Sequence, residues 1–250
     1  MAKKILFVIE GERAETNMLI STFERSLNLC NQDFEIFKYK TNIHVLFREM
    51  NKMGFDSFLS YLYMINKEIF PDDMFSPETA FSSVYLFFDL DPQAELFSIV
   101  ETNDIVTYFN DETVNGKVYI SYPMVESVFD FISYNFKDYC NREYPIDKLS
   151  ASYKSDARRN SFLGQKYRNC SFRKIKNEDI YSICLLNMKK YCYLTNSPFT
   201  DEWKEQYSPL KAFISEIPFI KRGVVSILNC GMLLIPDYSN IMFNELKKLK

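Results

Sequence analysis

The chain has 250 residues, 47% of them hydrophobic and 25% charged, so its composition is that of a folded protein and excludes a largely disordered one. This length is enough for one large hydrophobic core or two smaller ones. The formal net charge of -3 excludes an overall positive field for binding nucleic acid, so any such contact must be local. The 6 cysteines have no paired C-x-x-C spacing and therefore indicate neither a zinc site nor a disulfide framework.

The apolar stretches of the chain are short. The first of them, residues 5–9, is too short for the apolar region of a signal peptide and runs directly into Glu10. No apolar stretch reaches the roughly 20 residues that a membrane-spanning helix needs. We therefore expect a cytoplasmic protein that makes no membrane contact.

The first half of the chain alternates predicted strands with predicted helices. The continuous apolar run at 5–9 is typical of a strand buried on both faces of a parallel sheet. Alternation of strand and helix is typical of βαβ units. We therefore predict an α/β domain over 1–128 with a mainly parallel, four-stranded sheet. Its other strands are predicted at 34–39, 83–88 and 117–120, and its helices at 15–26, 43–69 and 95–109. As an alternative, residues 102–104 interrupt the last of these helices.

The second half, residues 129–250, is predicted to be mostly helical. Helices are predicted at 125–136, 178–193 and 200–214, while 223–228 fits either a short strand or a buried helix. The segment at 148–176 is rich in lysine and arginine, with aromatic residues between the basic ones. It therefore predicts a local nucleic-acid contact or, as the alternative, a solvated loop anchored by its aromatic residues. Its candidate binding residues are Lys154, Arg158, Arg159 and Lys166, and Tyr153 and Tyr167 are candidates for stacking on bases.

Carboxylates follow three of the predicted strands. Glu10 comes directly after the first strand, Asp89 and Asp91 after the third, and Glu126 shortly after the fourth. The carboxyl ends of parallel strands meet at one edge of a sheet, so these side chains are expected to lie together. Crowded carboxylates repel one another unless a cation shares the site, and Mg²⁺ prefers such oxygen ligands. The alternative for each carboxylate alone is an ordinary solvated strand end.

Two of these stretches resemble a known family. Residues 8–15, VIEGERAE, and residues 87–91, FFDLD, resemble the TOPRIM signature of topoisomerases, primases and nucleases. The E-G-E-x-x-E form, followed by SYPMVES at 121–127, is most similar to the RloB and AbiLii type of phage-defence proteins and more distantly to the OLD nucleases. The resemblance covers about the first half of the chain.

The resemblance implies a TOPRIM-like Rossmannoid fold and a nuclease that uses Mg²⁺ or Mn²⁺. It implies that Glu10 acts as general acid or base or as a metal ligand, and that Asp89 and Asp91 hold the metal. Glu126 is a further candidate ligand, and Glu15, like Glu12, either binds a second metal or simply stabilises a helix N-terminus. OLD nucleases use a lysine after the acidic cluster, for which Lys154 and Lys166 are the candidates.

The resemblance also implies a role in defence against phage. The expected function is a toxic effector of abortive infection that cleaves DNA or RNA, tRNA included. Because the chain has no G-x-x-x-x-G-K-[ST] loop, a separate ATPase partner is expected to control it. The oligomeric state stays open, with a homodimer through the helical half as one alternative.

Two other functions fit parts of the sequence. A TOPRIM-like module could bind a partner or nucleic acid without catalysis. A phosphatase of the haloacid-dehalogenase type also uses D-x-D after a strand, but normally after the first strand, where this chain has Glu10. His44, the only histidine, is expected to be a packing residue, and Trp203 a packing residue or a partner contact.

Overall fold

The computed structural model describes residues 3–11, 20–30, 32–72, 74–159, 162–167, 174–200, 203 and 205–238. The strands of this part are β1 (Lys4–Ile9), β2 (Phe34–Lys38), β3 (Phe81–Asp89), β4 (Asn110–Asp111), β5 (Gly116–Tyr122), β6 (Glu143–Pro145), β7 (Val224–Ser226) and β8 (Leu228–Asn229). Its α-helices are α1 (Ser21–Ser26), α2 (Ile43–Lys52), α3 (Phe58–Ile65), α4 (Ile99–Tyr108), α5 (Phe136–Cys140), α6 (Lys154–Arg159), α7 (Phe162–Lys166), α8 (Asn177–Thr195), α9 (Pro209–Lys221) and α10 (Leu234–Tyr238).

A mostly parallel sheet lies at the centre of the fold, as the sequence predicted. Its strand order is β2-β1-β3-β5-β4, and the pairs β2-β1, β1-β3 and β3-β5 are parallel. These four strands are the ones predicted from the sequence. The short strands β4 and β8 both pair with β5 in the antiparallel sense, and β6 and β7 form a separate two-stranded antiparallel sheet. The protein is therefore an α/β protein with a mixed sheet.

The central strands are apolar because both of their faces are covered. All seven residues of β5 are buried, and five of the six residues of β1 are. Phe7 shows how the core is filled, since its ring lies 5.8 Å from that of Phe23 in α1 and 6.0 Å from that of Phe87 in β3. The predicted helix at 15–26 is α1 where the structure describes it, and residues 12–19 lie outside the described residues.

Two helix predictions in the first half were wrong in detail. The predicted helix at 43–69 is two helices, because the chain turns at Gly54 with a φ of 73° and restarts at Ser57, whose side chain caps α3. The helix predicted at 95–109 begins only at Ile99 as α4, and it is continuous, without the alternative interruption at 102–104. The Thr102 hydroxyl donates to the carbonyl of Ser98 at 2.7 Å inside the helix, so this polar side chain does not compete with the helical backbone.

The second half contains several helices, but two of its predicted bounds were wrong. Val125–Phe129 forms a 3-10 turn and α5 begins only at Phe136, so there is no continuous helix at 125–136. The helix predicted at 200–214 is α9, which begins at Pro209 behind the capping side chain of Ser208. The prediction at 178–193 is confirmed by α8, and 223–228 resolves into β7 and the start of β8.

The second half packs directly on the sheet. Strand β8 pairs with β5, and α9 packs against α4. A buried ion pair adds to this contact, since the Lys117 ammonium lies 2.6 Å from the Asp237 carboxylate. Asp237 also accepts the Tyr119 hydroxyl at 2.7 Å. In the described part of the chain, no helix is long and apolar enough to cross a membrane.

Candidate functional site

The carboxylates predicted to form the site lie at the carboxyl ends of β1, β3 and β5. Glu10 follows β1, Asp89 ends β3, and Glu126 lies in the turn after β5. The Glu10 carboxylate accepts the backbone N–H of Asp89 at 3.0 Å. The Asp89 carboxylate in turn accepts the backbone N–H of Val125 at 2.8 Å. These bonds tie the ends of three neighbouring strands together through the side chains that the sequence identified.

Asp91 occupies a strained backbone position next to these residues. Its φ is 45°, in the left-handed region, and its N–H donates to the carbonyl of Pro123 at 3.3 Å. Burial raises the pKa of the Asp91 carboxyl, while a hydrogen bond from Gln93 and the nearby charge of Lys154 lower it. A desolvated carboxylate of this kind is stabilised by a cation, so Asp91 suits a ligand role.

Glu126 is buried, with 4% of its surface exposed. Its Oε1 atom lies 3.8 Å from the Lys154 ammonium and 3.9 Å from the Arg158 guanidinium, both on α6. Its Oε2 atom is buried and has no hydrogen-bond partner among the described residues. A buried carboxylate oxygen without a partner is costly, so a hydrogen-bond donor or a cation at this position would stabilise Glu126.

The side chains present fit a hard divalent cation in kind, because they are carboxylates and one carboxylate oxygen lacks a partner. Among the described residues, however, no group of three or more aspartate, glutamate, histidine or cysteine side chains is placed to hold a metal ion. The predicted ligand Glu15, and Glu12 beside it, lie outside the described residues. The described carboxylates therefore do not by themselves form a metal-holding group.

The basic segment divides into residues near the carboxylates and residues away from them. Lys154 and Arg158 lie beside Glu126, and the Arg158 guanidinium also lies 5.3 Å from the centre of the Phe129 ring. Arg159 is exposed at the end of α6. Lys166 instead binds the Asp179 carboxylate at 2.8 Å and 2.9 Å. Of the two candidate lysines, Lys154 is therefore the one next to the carboxylates.

The predicted stacking role of two tyrosines was wrong. Tyr153 is fully buried, with 0% of its surface exposed, and its ring packs against that of Tyr144 at 4.8 Å. Tyr167 is 8% exposed and donates its hydroxyl to Asp179. Neither ring is open to a base. The sequence pattern could not distinguish buried aromatic residues from exposed ones. Aromatic residues alternate with basic ones both when the rings anchor a segment to the core and when they are exposed for stacking.

Two residues near the carboxylates were missed by the sequence analysis. The Gln93 side-chain amide donates to the Asp91 carboxylate at 3.0 Å. Lys40 is exposed, has a φ of 64°, and donates its N–H to the carbonyl of Glu10 at 3.1 Å. The position of Gln93 two residues after the D-x-D pair was the available signal. No signal in the sequence indicated Lys40, since its position next to Glu10 depends on the pairing of β1 with β2.

The only histidine has a structural role. His44 is buried, and its Nδ1 atom lies 2.8 Å from a carboxylate oxygen of Glu101, which also binds Arg48 at 2.6 Å. Its Nε2 atom lies 3.3 Å from the Thr102 hydroxyl, but that hydroxyl is buried and donates to a backbone carbonyl in its own helix. The arrangement links α2 to α4 and offers no accessible nucleophile. Trp203 is likewise a packing residue, 1% exposed and edge-on to Tyr191.

The site thus combines Glu10, Asp89, Asp91 and Glu126 with the cations Lys154 and Arg158 at the carboxyl edge of a parallel sheet, the usual ligand-binding edge of such sheets. Comparison with known proteins adds no family to this picture. The chain matches no family model, no curated protein and no solved structure.

Proposed function

We propose that this chain is a TOPRIM-like nuclease that uses Mg²⁺ or Mn²⁺ to hydrolyse phosphodiester bonds of DNA or RNA. The observation that carries the proposal is the hydrogen-bonded row of carboxylates across the ends of three parallel strands, with two cations beside it. Carboxylates suit a metal ion, and lysine and arginine suit the phosphates of a nucleic acid. These types of side chain support metal-assisted phosphodiester hydrolysis as the reaction.

Each residue of the site would have a separate role in this reaction. The backbone N–H groups of Asp89 and Val125 hold the carboxylates of Glu10 and Asp89 in fixed orientations. Asp89, Asp91 and Glu126 would supply part of the contacts to the ion, which when bound neutralises charge and lowers the pKa of water. Glu10 would accept the proton of the attacking water as general base.

The cations on α6 would position the substrate. Lys154 and Arg158 expose 68% and 54% of their side chains, so both remain open to a phosphate while they face Glu126. Arginine binds a phosphate through two parallel hydrogen bonds and lysine binds it as a point charge. The two side chains would therefore hold the scissile phosphate against the carboxylates.

The resemblance of the first half to the RloB and AbiLii type supports a biological role for such a nuclease. In this proposal the chain is the toxic effector of an abortive-infection system, and a separate ATPase controls it. Substrates to test are therefore DNA and RNA, with tRNA among the RNAs.

The test is cleavage of end-labelled single-stranded DNA, duplex DNA, RNA and tRNA by the purified full chain with Mg²⁺ or Mn²⁺, alone and with the product of its neighbouring gene. Glu10→Gln and Asp89→Asn keep the acceptor oxygens for the N–H groups of Asp89 and Val125 but remove the negative charges. We expect each to reduce the cleavage rate by about 100-fold or more. Asp104→Asn, at an exposed position of α4, is the matched control and is expected to cleave like wild type.

One observation favours a second function, a module that binds nucleic acid or a partner without cleaving. Lys154 and Arg158 already face Glu126, and the described carboxylates do not form a group of three around one point. Binding of an oligonucleotide without cleavage in any of these conditions, and with no change in Asp89→Asn, would favour this second function. The phosphatase alternative has no such support, because the D-x-D pair follows β3.

A further inference from the structure

Gln93 presents an acceptor oxygen that has no partner among the described residues. Its side-chain nitrogen donates to the Asp91 carboxylate at 3.0 Å, and its Oε1 atom is buried without a hydrogen bond. The orientation of this amide is fixed, since an ionised carboxylate can only accept and the NH₂ group must face it. The oxygen therefore points away from Asp91 and needs a donor.

Glu126 presents a second acceptor oxygen of this kind. Its buried Oε2 atom also lacks a hydrogen-bond partner within the described part of the chain. The cations near its other oxygen stand 3.8 Å and 3.9 Å away, beyond the length of a direct hydrogen bond. Polar groups at such separations are commonly bridged by water.

The two acceptors are linked through Asp91 and Lys154. Gln93 is bonded to Asp91, and Lys154 acts electrostatically on Asp91 while it faces Glu126. Two such acceptors beside carboxylates suit a ligand that is a cation and also donates hydrogen bonds. Mg²⁺ meets both requirements when it keeps its water shell, since it gives up its waters reluctantly and those waters are donors.

We propose that Gln93 and Glu126 bind Mg²⁺ through the waters of its hydration shell, with Gln93 Oε1 and Glu126 Oε2 as acceptors. The inference rests on the cation site of the proposed function and assigns to Gln93 a role in binding the hydrated ion. It also accounts for the small number of direct carboxylate ligands, because contacts made through water replace some of them.

The test is isothermal titration of the full chain with MgCl₂ and, separately, with cobalt(III) hexammine, whose ammine groups donate hydrogen bonds but do not exchange for protein ligands. We expect wild type to bind both ions, with Mg²⁺ displacing the hexammine. Gln93→Leu changes no charge but removes the acceptor, so it is expected to weaken the affinity for both ions by about 10- to 100-fold. Gln32→Leu, at an exposed position before β2 and at the other end of the strands, is the matched control and is expected to bind like wild type.

A second variant separates the acceptor of Gln93 from its donor. Gln93→Glu keeps acceptor oxygens at this position and loses the NH₂ group that holds Asp91, so we expect it to retain hexammine binding. Loss of hexammine binding in Gln93→Glu would overturn the inference, because the donor to Asp91 would then be what matters. So would a Gln93→Leu variant that binds both ions like wild type, or a wild type that binds Mg²⁺ but not the hexammine. These results leave the nuclease proposal standing, whereas a wild type that binds neither ion and cleaves nothing removes both.

Discussion

Two ionisable side chains are buried away from the candidate site, on the neighbouring helices α8 and α9. The Lys190 ammonium donates to the carbonyls of Tyr139 and Arg142 at 3.1 Å and 2.8 Å. The Glu216 carboxylate accepts the N–H of Ser226 at 2.7 Å. Burial lowers the pKa of Lys190 to about 7 and raises the pKa of Glu216 to about 8. The stability of the protein should therefore depend on pH in the neutral range.

The Glu216→Gln substitution isolates one of these groups. Because the pKa of Glu216 rises from 4.5 unfolded to about 8 folded, the folded state holds a proton that the unfolded state releases. The contribution of this bound proton to the free energy of unfolding is complete below pH 4.5. It is lost as the pH rises through about 8, by at most about 1.4 kcal/mol per pH unit. Glutamine resembles the protonated acid and keeps the acceptor for Ser226, so the variant should gain stability relative to wild type as the pH rises.

Urea unfolding at a series of pH values between 5 and 8 measures this effect. We expect the free energy of unfolding of Glu216→Gln relative to wild type to increase by about 1 kcal/mol or more over that range. Glu95→Gln, at an exposed position, serves as control and should show no such trend. A difference between Glu216→Gln and wild type that does not change with pH would contradict the prediction.

At the scale of secondary-structure elements, the start of β5 depends on a glycine. A Cβ atom on Gly116 would lie 2.5 Å from the Leu86 Cδ1 atom and 3.2 Å from the Val84 Cγ1 atom of β3. The φ of Gly116 is 106°, which L side chains rarely adopt. The close approach of β5 to the side chains of β3 therefore requires glycine here.

Gly116→Ala should destabilise the protein by about 2 to 4 kcal/mol, since it adds a clash in the core to backbone strain. Gly54→Ala is a matched control, because Gly54 also has a positive φ of 73° but a Cβ atom there meets nothing within 4 Å. It should cost only about 1 kcal/mol. Equal losses in the thermal unfolding of the two variants would show that the clash does not decide the effect.

The long apolar strands of the sheet could be predicted from the sequence, and the short strands could not. Residues 5–9 and 83–88 are apolar because the strands are buried on both faces, so composition alone indicates them. β4 and β8 have two residues each, and their existence depends on pairing with β5, which no local pattern encodes. The predicted helix at 125–136 failed for a related reason. The turn at 125–129 is held by Asn229, more than 100 residues away, whose amide donates to Val125 and Ser127 at 3.2 Å and 2.9 Å.

The carboxylates of the site could be predicted for a similar reason, and their partners could not. Glu10 and Asp89 directly follow or end apolar strands, so their common edge follows from a parallel sheet. The backbone N–H groups that they bind come from other strands and depend on register. Nothing in the sequence favoured Lys154 over Lys166 as the lysine beside the carboxylates. The packing of α6 against the turn after β5 places Lys154 there, whereas Lys166 binds Asp179.

At the scale of the whole molecule, the two halves of the chain are in direct contact. Tyr119 of β5 stacks on Tyr207 of the second half with ring centres 4.5 Å apart, and Lys117 of β5 is paired with Asp237. β5 is thus completed by residues that follow it by about 90 to 120 positions. The first half alone would expose an apolar strand and leave Lys117 without its carboxylate.

We therefore expect the fragment 1–128 not to fold with fixed tertiary packing. Burial of β5 against the second half supplies part of its hydrophobic stabilisation, and that part is lost in the fragment. Near-ultraviolet circular dichroism and thermal unfolding, compared with those of the full chain, measure this. A fragment that melts cooperatively and has a well-dispersed amide spectrum would instead establish an independent domain over 1–128.

The position of Asn229 has a consequence for the protein during its synthesis. A ribosome makes Glu10 and Asp89 early, and the strands that carry them can pair as soon as β3 has emerged. The turn with Glu126 receives its hydrogen bonds from Asn229 only after about 100 further residues have been made. A nascent chain that has not yet reached Asn229 therefore carries an acidic edge without these hydrogen bonds, and the turn with Glu126 can be fixed in place only after synthesis has passed Asn229.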